Sequence, residues 1–315
     1  MTVNDACTGQ STGTISKRLR LVRPVLAYLA IGSTVVALSC FLSYELDCSR
    51  LRAVSTLLIE GRHAPAEKVI ALLDWVHGNQ STAENRRYFV LPRLRATSCQ
   101  VLESGGDCAD KSRLLSAMLR AIGIPAGMAM CFDPRTGNPT HTVVVATLAH
   151  GKTMVVDPAY NLFFPALSVG EYYGLLDLRA DPTILGNRLD DLSAQLPRRH
   201  PVHSYNREAA GYSRASCINW DANVLTRLVK KCFLAENSEA IHAIPRPLIL
   251  EEPKLMIGAG ALLTGLFAVT ARGSITWFMR LRSFSPSSHT GAVKLQRESD
   301  VTRTIARLRI STCGR

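Results

Sequence analysis

A cysteine becomes a working nucleophile when one group takes its proton and another holds the resulting charge. Residues 105–157 carry groups of both kinds. Gly105-Gly106-Asp107-Cys108-Ala109-Asp110-Lys111 reads as a turn that opens a helix. Two glycines permit backbone conformations that other residues resist, and Asp107 is a good N-cap. Behind them Leu114, Leu115, Met118, Leu119 and Ile122 give the helix one apolar face, and Gly123-Ile124-Pro125 ends it. Cys108 therefore falls in the first turn, where free amides and the positive end of the macrodipole favour thiolate over thiol. A lone cysteine at a helix start is more often packed and inert, so its partners decide the matter.

The partners lie downstream. His141 opens the apolar strand His-Thr-Val-Val-Val-Ala-Thr-Leu, the loop Ala149-His150-Gly151 follows, and Thr-Met-Val-Val-Asp-Pro ends a second strand at Asp157. A three-residue loop built as a type I turn, with Gly151 left-handed, pairs residues whose numbers sum to 300. Val143 then faces Asp157, and His141 sits on the same side of the sheet two residues along. That diagonal is about 7–8 Å between backbones, within reach of an imidazole–carboxylate hydrogen bond. A two-residue turn would put the pair on opposite faces. In this arrangement Asp157 orients the imidazole and His141 takes the proton of Cys108. An ion pair of this kind lowers a thiol from about 8.5 to between about 3.5 and 7.5. A shift of about 3 units is roughly 4 kcal/mol. A helix dipole supplies only about 0.3–1 kcal/mol, so the histidine must provide the rest.

Other elements must position these three residues. Ala66 to His77 carries Val69, Ile70, Leu72, Leu73, Trp75 and Val76 at helical spacing, with Pro65 suited to the first turn. Thr97 to Ser104 reads as a short helix closed by Gly105. Ser168-Val169-Gly170-Glu171 has the pattern of a capping box, and Asp181-Pro182 that of a second helix start. From about 195 to 250 the chain is irregular and reads as a tether. Lys111 reads as part of a solvated helix face. Five cysteines lie between 45 and 253 besides Cys108, and Cys217 with Cys232 is the expected disulfide. His63, His150, His200, His203 and His242 lack zinc-type spacing with Cys or acid partners, so neither a metal site nor a cofactor is expected.

Charge sets the topology. Of a formal net charge of +12, residues 1–24 contribute four basic side chains and one acid, and residues 272–315 nine and two. The stretch between is nearly neutral. A nucleic-acid binder usually carries its basic patch on the folded domain, so no nucleic-acid partner is expected. The charges instead flank two apolar runs, Val25 to Leu42 and Leu255 to Ala271. The first is long enough to cross a hydrocarbon core; the second is at the short end for a span, and Ser274 to Met279 could extend it past Arg272-Gly273. The first lacks the small-x-small site of a cleaved signal, and Gly258, Gly260 and Gly265 suit a membrane helix in the second. The expected organisation is a cytoplasmic N-terminus 1–24, a span 25–44, an outer domain 45–253, a span 254–280 and a cytoplasmic basic tail 281–315. By the positive-inside rule both termini are cytoplasmic. An outer domain of 209 residues can bury about 70% of its unfolded surface. Val301, Ile305 and Leu308 could place a short amphipathic helix in the tail, although a disordered flank is the simpler expectation.

Residues 65–165 resemble the transglutaminase-like superfamily of papain-type thiol enzymes. The resemblance rests on the Asp74-Trp75-Val76 helix, Gly-Gly-Asp-Cys, Leu-Arg-Ala-Ile-Gly-Ile-Pro-Ala, the His-led strand and Val-Asp-Pro-Ala-Tyr-Asn, in the family's order of Cys, His and Asp. It implies an α+β fold, with a nucleophile helix packed on an antiparallel sheet, set here between two transmembrane helices. It also implies acyl transfer through a thioester, with Cys108, His141 and Asp157 as catalytic residues. The Cys108 amide is the obvious oxyanion donor, and Gln100 lies upstream as a papain-like glutamine would. The family's tryptophan after the histidine and aromatic before the aspartate are absent, since Val143, Val144 and Val155 stand in that region.

The implied protein is a peptidase or amidase of the inner, cytoplasmic membrane of a prokaryotic envelope, with its domain in the periplasm or outside the cell. Its substrate would be a peptide or another amide-bearing envelope component. One alternative is a non-catalytic subunit that binds peptide or glycan within a cell-wall or polysaccharide assembly complex. Another is a transglutaminase that accepts amines.

Overall fold

A computed structural model describes residues 9–79, 87–197, 201–205, 210–233 and 239–283. The basic tail beyond 283, where an amphipathic helix or a disordered flank was weighed, and His200 lie outside the described residues. The chain divides into two compact units, one formed by parts of 1–34 and 262–315, the other by residues 35–261.

The first helix, α1 (Gly9–Leu58), does not stop where its apolar run ends. Residues 45–58 continue it as polar-faced helix, and Leu51, Val54 and Leu58 join a core. Next come α2 (Pro65–Asn79), α3 (Ser98–Ser104) and α4 (Cys108–Ala121). Pro65 occupies the first helical position, where a missing N–H costs nothing. Thr97 and Gln100 form a reciprocal capping box on α3, and Gly105 closes that helix at φ 73°. Asp107 caps α4 by accepting the amides of Ala109 and Asp110 at 2.9 and 3.0 Å.

Four antiparallel strands follow in sequence order: β1 (Ala126–Phe132), β2 (Pro139–Thr147), β3 (Thr153–Asp157) and β4 (Leu162–Phe163). The β2–β3 register pairs Val144 with Val156, Val145 with Val155 and Ala146 with Met154, the expected sum of 300. The turn differs from the expected type I. Both His150 (φ 58°) and Gly151 (φ 73°) are left-handed, which suits the right-handed twist of the flanking strands.

The pleat divides the strand residues between two cores. Val144, Ala146, Met154 and Val156 pack with α2 and α4. Ala129, Cys131, Val143 and Val155 pack with α5 (Leu175–Ala180) and α6 (Pro182–Gln195), the latter capped by Asp181. That second core also takes in Val202, Tyr205, Tyr212, Ala215 and Cys217, all buried. The segment read as a tether is therefore part of the fold, and Ser216 exchanges two backbone hydrogen bonds of 2.9 Å with Met130. Aromatic and aliphatic residues spaced without period, in 3-10 turns, gave no helical or strand signal. Ser168–Glu171 is likewise a turn and no helix start: Glu171 N bonds Ser168 O, and Pro165 bridges Tyr172. Cys217 is buried and Cys232, on α7 (Val224–Phe233), is exposed; both are free thiols, so the expected disulfide is absent.

The last described helix, α8 (Pro253–Ser283), begins directly after a buried acidic pair. Glu251 accepts from Arg120 on α4 at 2.7 Å and from the Met128 amide on β1 at 3.1 Å. Its carbonyl accepts from Arg113 Nε at 3.2 Å. Glu252 accepts from Ser98 at 2.8 Å and lies 3.5 Å from Arg120. Lys254 binds Asp47 and Ser43 on α1. Removing one partner of a buried ion pair strands the other charge. Glu251→Ala is therefore expected to destabilise the protein by about 3–5 kcal/mol. Urea unfolding in neutral detergent checks this, and an unchanged midpoint would refute it.

Candidate active site

Cys108 is the first residue of α4 and is partly exposed. The cap takes the amides of Ala109 and Asp110 but not that of Cys108, which leaves that donor near the thiol. Gly106 comes so close to the helix that an added Cβ would lie 2.3 Å from Asp110 Cβ. Asp110 is itself buried and paired with Arg113 at 3.1 Å. The tight approach to Cys108 thus requires glycine at 106.

His141 and Asp157 meet across the hairpin as its register demands. Nε2 of His141 donates to Oδ2 of Asp157 at 2.6 Å, both side chains being buried. With Nε2 held there, Nδ1 is the ring nitrogen left for Cys108, which lies near enough to favour the charged imidazole. Burial alone would lower the imidazole pKa. The charge and hydrogen bond of Asp157, with the contact to Cys108, outweigh it and raise the value to about 10. Burial pushes the other inner thiols up: Cys99 and Cys217 to about 12, and Cys131 well above its usual range.

Gln100 does not join this group. Its side-chain oxygen accepts the Thr97 amide at 2.9 Å and closes the box on α3.

Two layers behind His141 and Asp157 are not evident from the sequence. Tyr205 donates to Oδ2 of Asp157 at 2.5 Å and lies 2.9 Å from the hydroxyl of Tyr212. Since Tyr205 has one proton and gives it to the carboxylate, Tyr212 must donate to Tyr205. Burial and the nearby Asp157 keep both phenols protonated. Tyr160 packs edge-on against His141 and Tyr205, with ring centroids 5.5 and 4.4 Å away. No local pattern marks Tyr205, which lies 48 residues beyond its partner.

Lys111, expected on a solvated face, is 1% exposed. Its ammonium donates to the His77 carbonyl at 3.3 Å, and His77 Nδ1 lies 3.3 Å from the Pro158 carbonyl. Burial lowers the Lys111 pKa, while Asp157 raises it. The signal was present: Lys111, Leu115, Met118 and Ile122 share one helical face.

An α+β domain, with a cysteine at a helix start and a histidine–aspartate pair on the adjoining hairpin, defines a class. Residues 52–161 match the family model of the transglutaminase-like superfamily, and this segment is a transglutaminase-like domain. Among solved structures, a putative cysteine protease from Cytophaga hutchinsonii is 20% identical with a TM-score of 0.31; the alignment covers 36% of this chain and 38% of that one. A putative protease from Parabacteroides distasonis is 17% identical with a TM-score of 0.28, covering 40% and 30%. The chain thus spans well under half the length of either. No curated protein matches it.

Two tests follow from this geometry. Tyr205→Phe leaves Asp157 and Tyr212 each short of a partner and should cost about 1–3 kcal/mol, read from thermal or urea unfolding. The second concerns pH. The imidazole keeps its proton to about 10 in the folded chain but only to about 6.5 when unfolded. Its stabilising contribution is therefore complete below about 6.5 and is lost as pH rises through about 10. Melting temperatures between pH 6 and 10 should fall more steeply for the wild type than for His141→Gln; parallel curves would contradict the assignment.

Proposed function

We propose that this chain is a membrane-anchored thiol acyl-transfer enzyme that hydrolyses a peptide or amide bond outside the cytoplasm. The observation that carries the reading is the buried hydrogen bond of His141 to Asp157, with Cys108 near the same imidazole. In the proposed cycle His141 already holds the proton of Cys108 as an imidazolium, and the Cys108 thiolate attacks the acyl carbon. The Cys108 amide donates to the developing oxyanion. The tetrahedral species collapses as the imidazolium gives its proton to the leaving amine, and a thioester remains. Water then attacks that thioester with His141 as base, which frees the acid and restores the thiolate. Asp157 stays ionised throughout and stabilises the imidazolium. An amine in place of water would give the cross-linking reaction instead.

Anchoring is supported by two helices, Leu19–Leu58 and Pro253–Leu281, that are long and apolar enough to cross a bilayer. Basic residues outside both apolar runs favour cytoplasmic termini, with the thiol domain on the outer side of the cytoplasmic membrane. A peptide-bearing envelope component is then the substrate class within reach.

Alkylation of Cys108 by iodoacetamide, followed by peptide mass at pH 7, tests the activated thiol. His141→Ala should slow it roughly tenfold or more, and Cys108→Ser should abolish turnover of any substrate found. A Cys108 that reacts equally fast in both proteins would remove the enzymatic reading and favour a binding module.

A further inference from the structure

We propose that the loop Tyr88–Leu91 docks on the bilayer surface and holds the start of α4 close above it. The inference rests on the membrane reading above and is independent of the catalytic one. All the residues it uses belong to the unit 35–261.

The outer part of α1 serves as a ruler. Its apolar run ends at Leu42, and each further residue rises about 1.5 Å. Glu103, near the end of α3, pairs with Arg50 on α1 at 2.7 Å and with Arg87 at 3.0 Å. Arg87 therefore stands near the level of Arg50. Two residues on, the centre of the Phe89 ring lies 6.0 Å from Nζ of Lys254, and that ammonium binds Ser43 and Asp47. The chain thus descends by about 5–10 Å, toward the end of the apolar run. It then returns. The Phe89 amide donates to the Arg95 carbonyl at 2.9 Å, and Arg95 pairs at 3.4 Å with Asp107, the cap of α4 next to Cys108.

The tip of this loop is strained and apolar. The Leu91 amide donates to the Phe89 carbonyl at 2.7 Å, which closes a γ-turn with Val90 at φ 64°. A β-branched residue resists that conformation, and such strain persists only where the surroundings impose it. The ion pairs of Arg87 and Arg95 hold the two stems. Tyr88, Val90 and Leu91 are nonetheless 47%, 65% and 57% exposed, so packing inside the protein does not account for the turn.

A second apolar group stands at the same height. Leu248 lines a pocket with Tyr44, Asp47 and Cys48 of α1. Ile249 and Leu250 follow it, 40% and 47% exposed, just ahead of α8. Two segments far apart in the chain thus present apolar side chains at the level where both long helices leave their apolar runs. A protein partner would have no reason to select that level; the apolar–polar boundary of a bilayer does. A tyrosine beside the aliphatic tip suits the headgroup depth.

The test uses the full chain in phosphatidylcholine vesicles doped with phosphatidylcholine that carries a photoactivatable diazirine on its acyl chain close to the glycerol. After illumination, tryptic peptides are read by mass spectrometry. The peptide 88–93 should carry lipid adducts, as expected for side chains about 5–10 Å into the boundary. The peptide 153–179 contains Leu167 and Val169, which are more exposed still, and should carry few. Val90→Asp with Leu91→Asp should lower the yield on 88–93 about tenfold. No adduct on 88–93, equal yields on the two peptides, or no loss in the double variant overturns the proposal. Adducts on 88–93 that appear only when the protein is diluted in the vesicles would assign the tip to a second copy and overturn the bilayer. Adducts on the two apolar helices report separately on the membrane reading. Labelled helices with an unlabelled 88–93 leave that reading standing and remove the loop; unlabelled helices remove both. If the double variant does not fold, the comparison of the two wild-type peptides decides.

Discussion

Asp157 has no exposure to solvent, and a carboxylate removed from water must be matched by donors and positive charge. Four parts of the chain meet that demand. His141 on β2 and Tyr205, from the stretch after α6, both donate to Oδ2. The Ala159 amide donates to Oδ1 at 2.9 Å, and the Lys111 ammonium on α4 adds attraction. Much of the domain can be read as the solution to this one problem. A slip of one residue in the β2–β3 hairpin would turn His141 to the other face and strand the charge. Loss of the packing around Tyr205 would do the same from the opposite side. The second core therefore has a chemical role as well as a hydrophobic one: it brings a phenol to the carboxylate and excludes the water that would compete.

The same burial separates the cysteines. For Cys99, Cys131 and Cys217, desolvation acts with no cation strong enough to offset it, and the thiols are pushed up and made inert. Around His141 the balance reverses, because the carboxylate is in direct contact and a low local dielectric strengthens that attraction. Partial exposure of Cys108 at the start of α4 leaves its sulfur where a second molecule can reach it. Position rather than residue type distinguishes these thiols.

The parts of the fold legible in the sequence were those governed by local rules. The hairpin register followed from strand alternation and loop length, and that register alone brings His141 to Asp157. Caps at Asp107 and Asp181 followed from side chains that accept nearby amides. What was not legible depends on long-range packing. Tyr205 and Tyr212 sit in a segment of short turns where no period exists to be read. Left-handed His150 has no local marker of the kind glycine provides. The extension of α1 past residue 44 was hidden because polar residues such as Glu45 and Asp47 end the apolar run without ending the helix. Lys111 is the instructive exception: its place on an apolar face was visible, but a lysine there is usually solvated.

The acidic pair before α8 gives the apolar helices a further structural role. Glu251 and Glu252 tie the C-terminal half of α4 through Arg113 and Arg120, while Asp107 fixes its first turn. One turn of chain later, Lys254 reaches Asp47 and Ser43 on α1. The helix that carries Cys108 is thus referenced at its far end to the start of α8, and α8 in turn to α1. These contacts are charged, mostly buried and mutually dependent, so they resist sliding more than an apolar interface of similar size would. A domain cut out at residues 45–253 would keep Glu251 and lose Lys254, leaving Asp47 without its ion-pair partner. The domain-proximal ends of the two long helices are accordingly part of the framework that sets where the thiol stands.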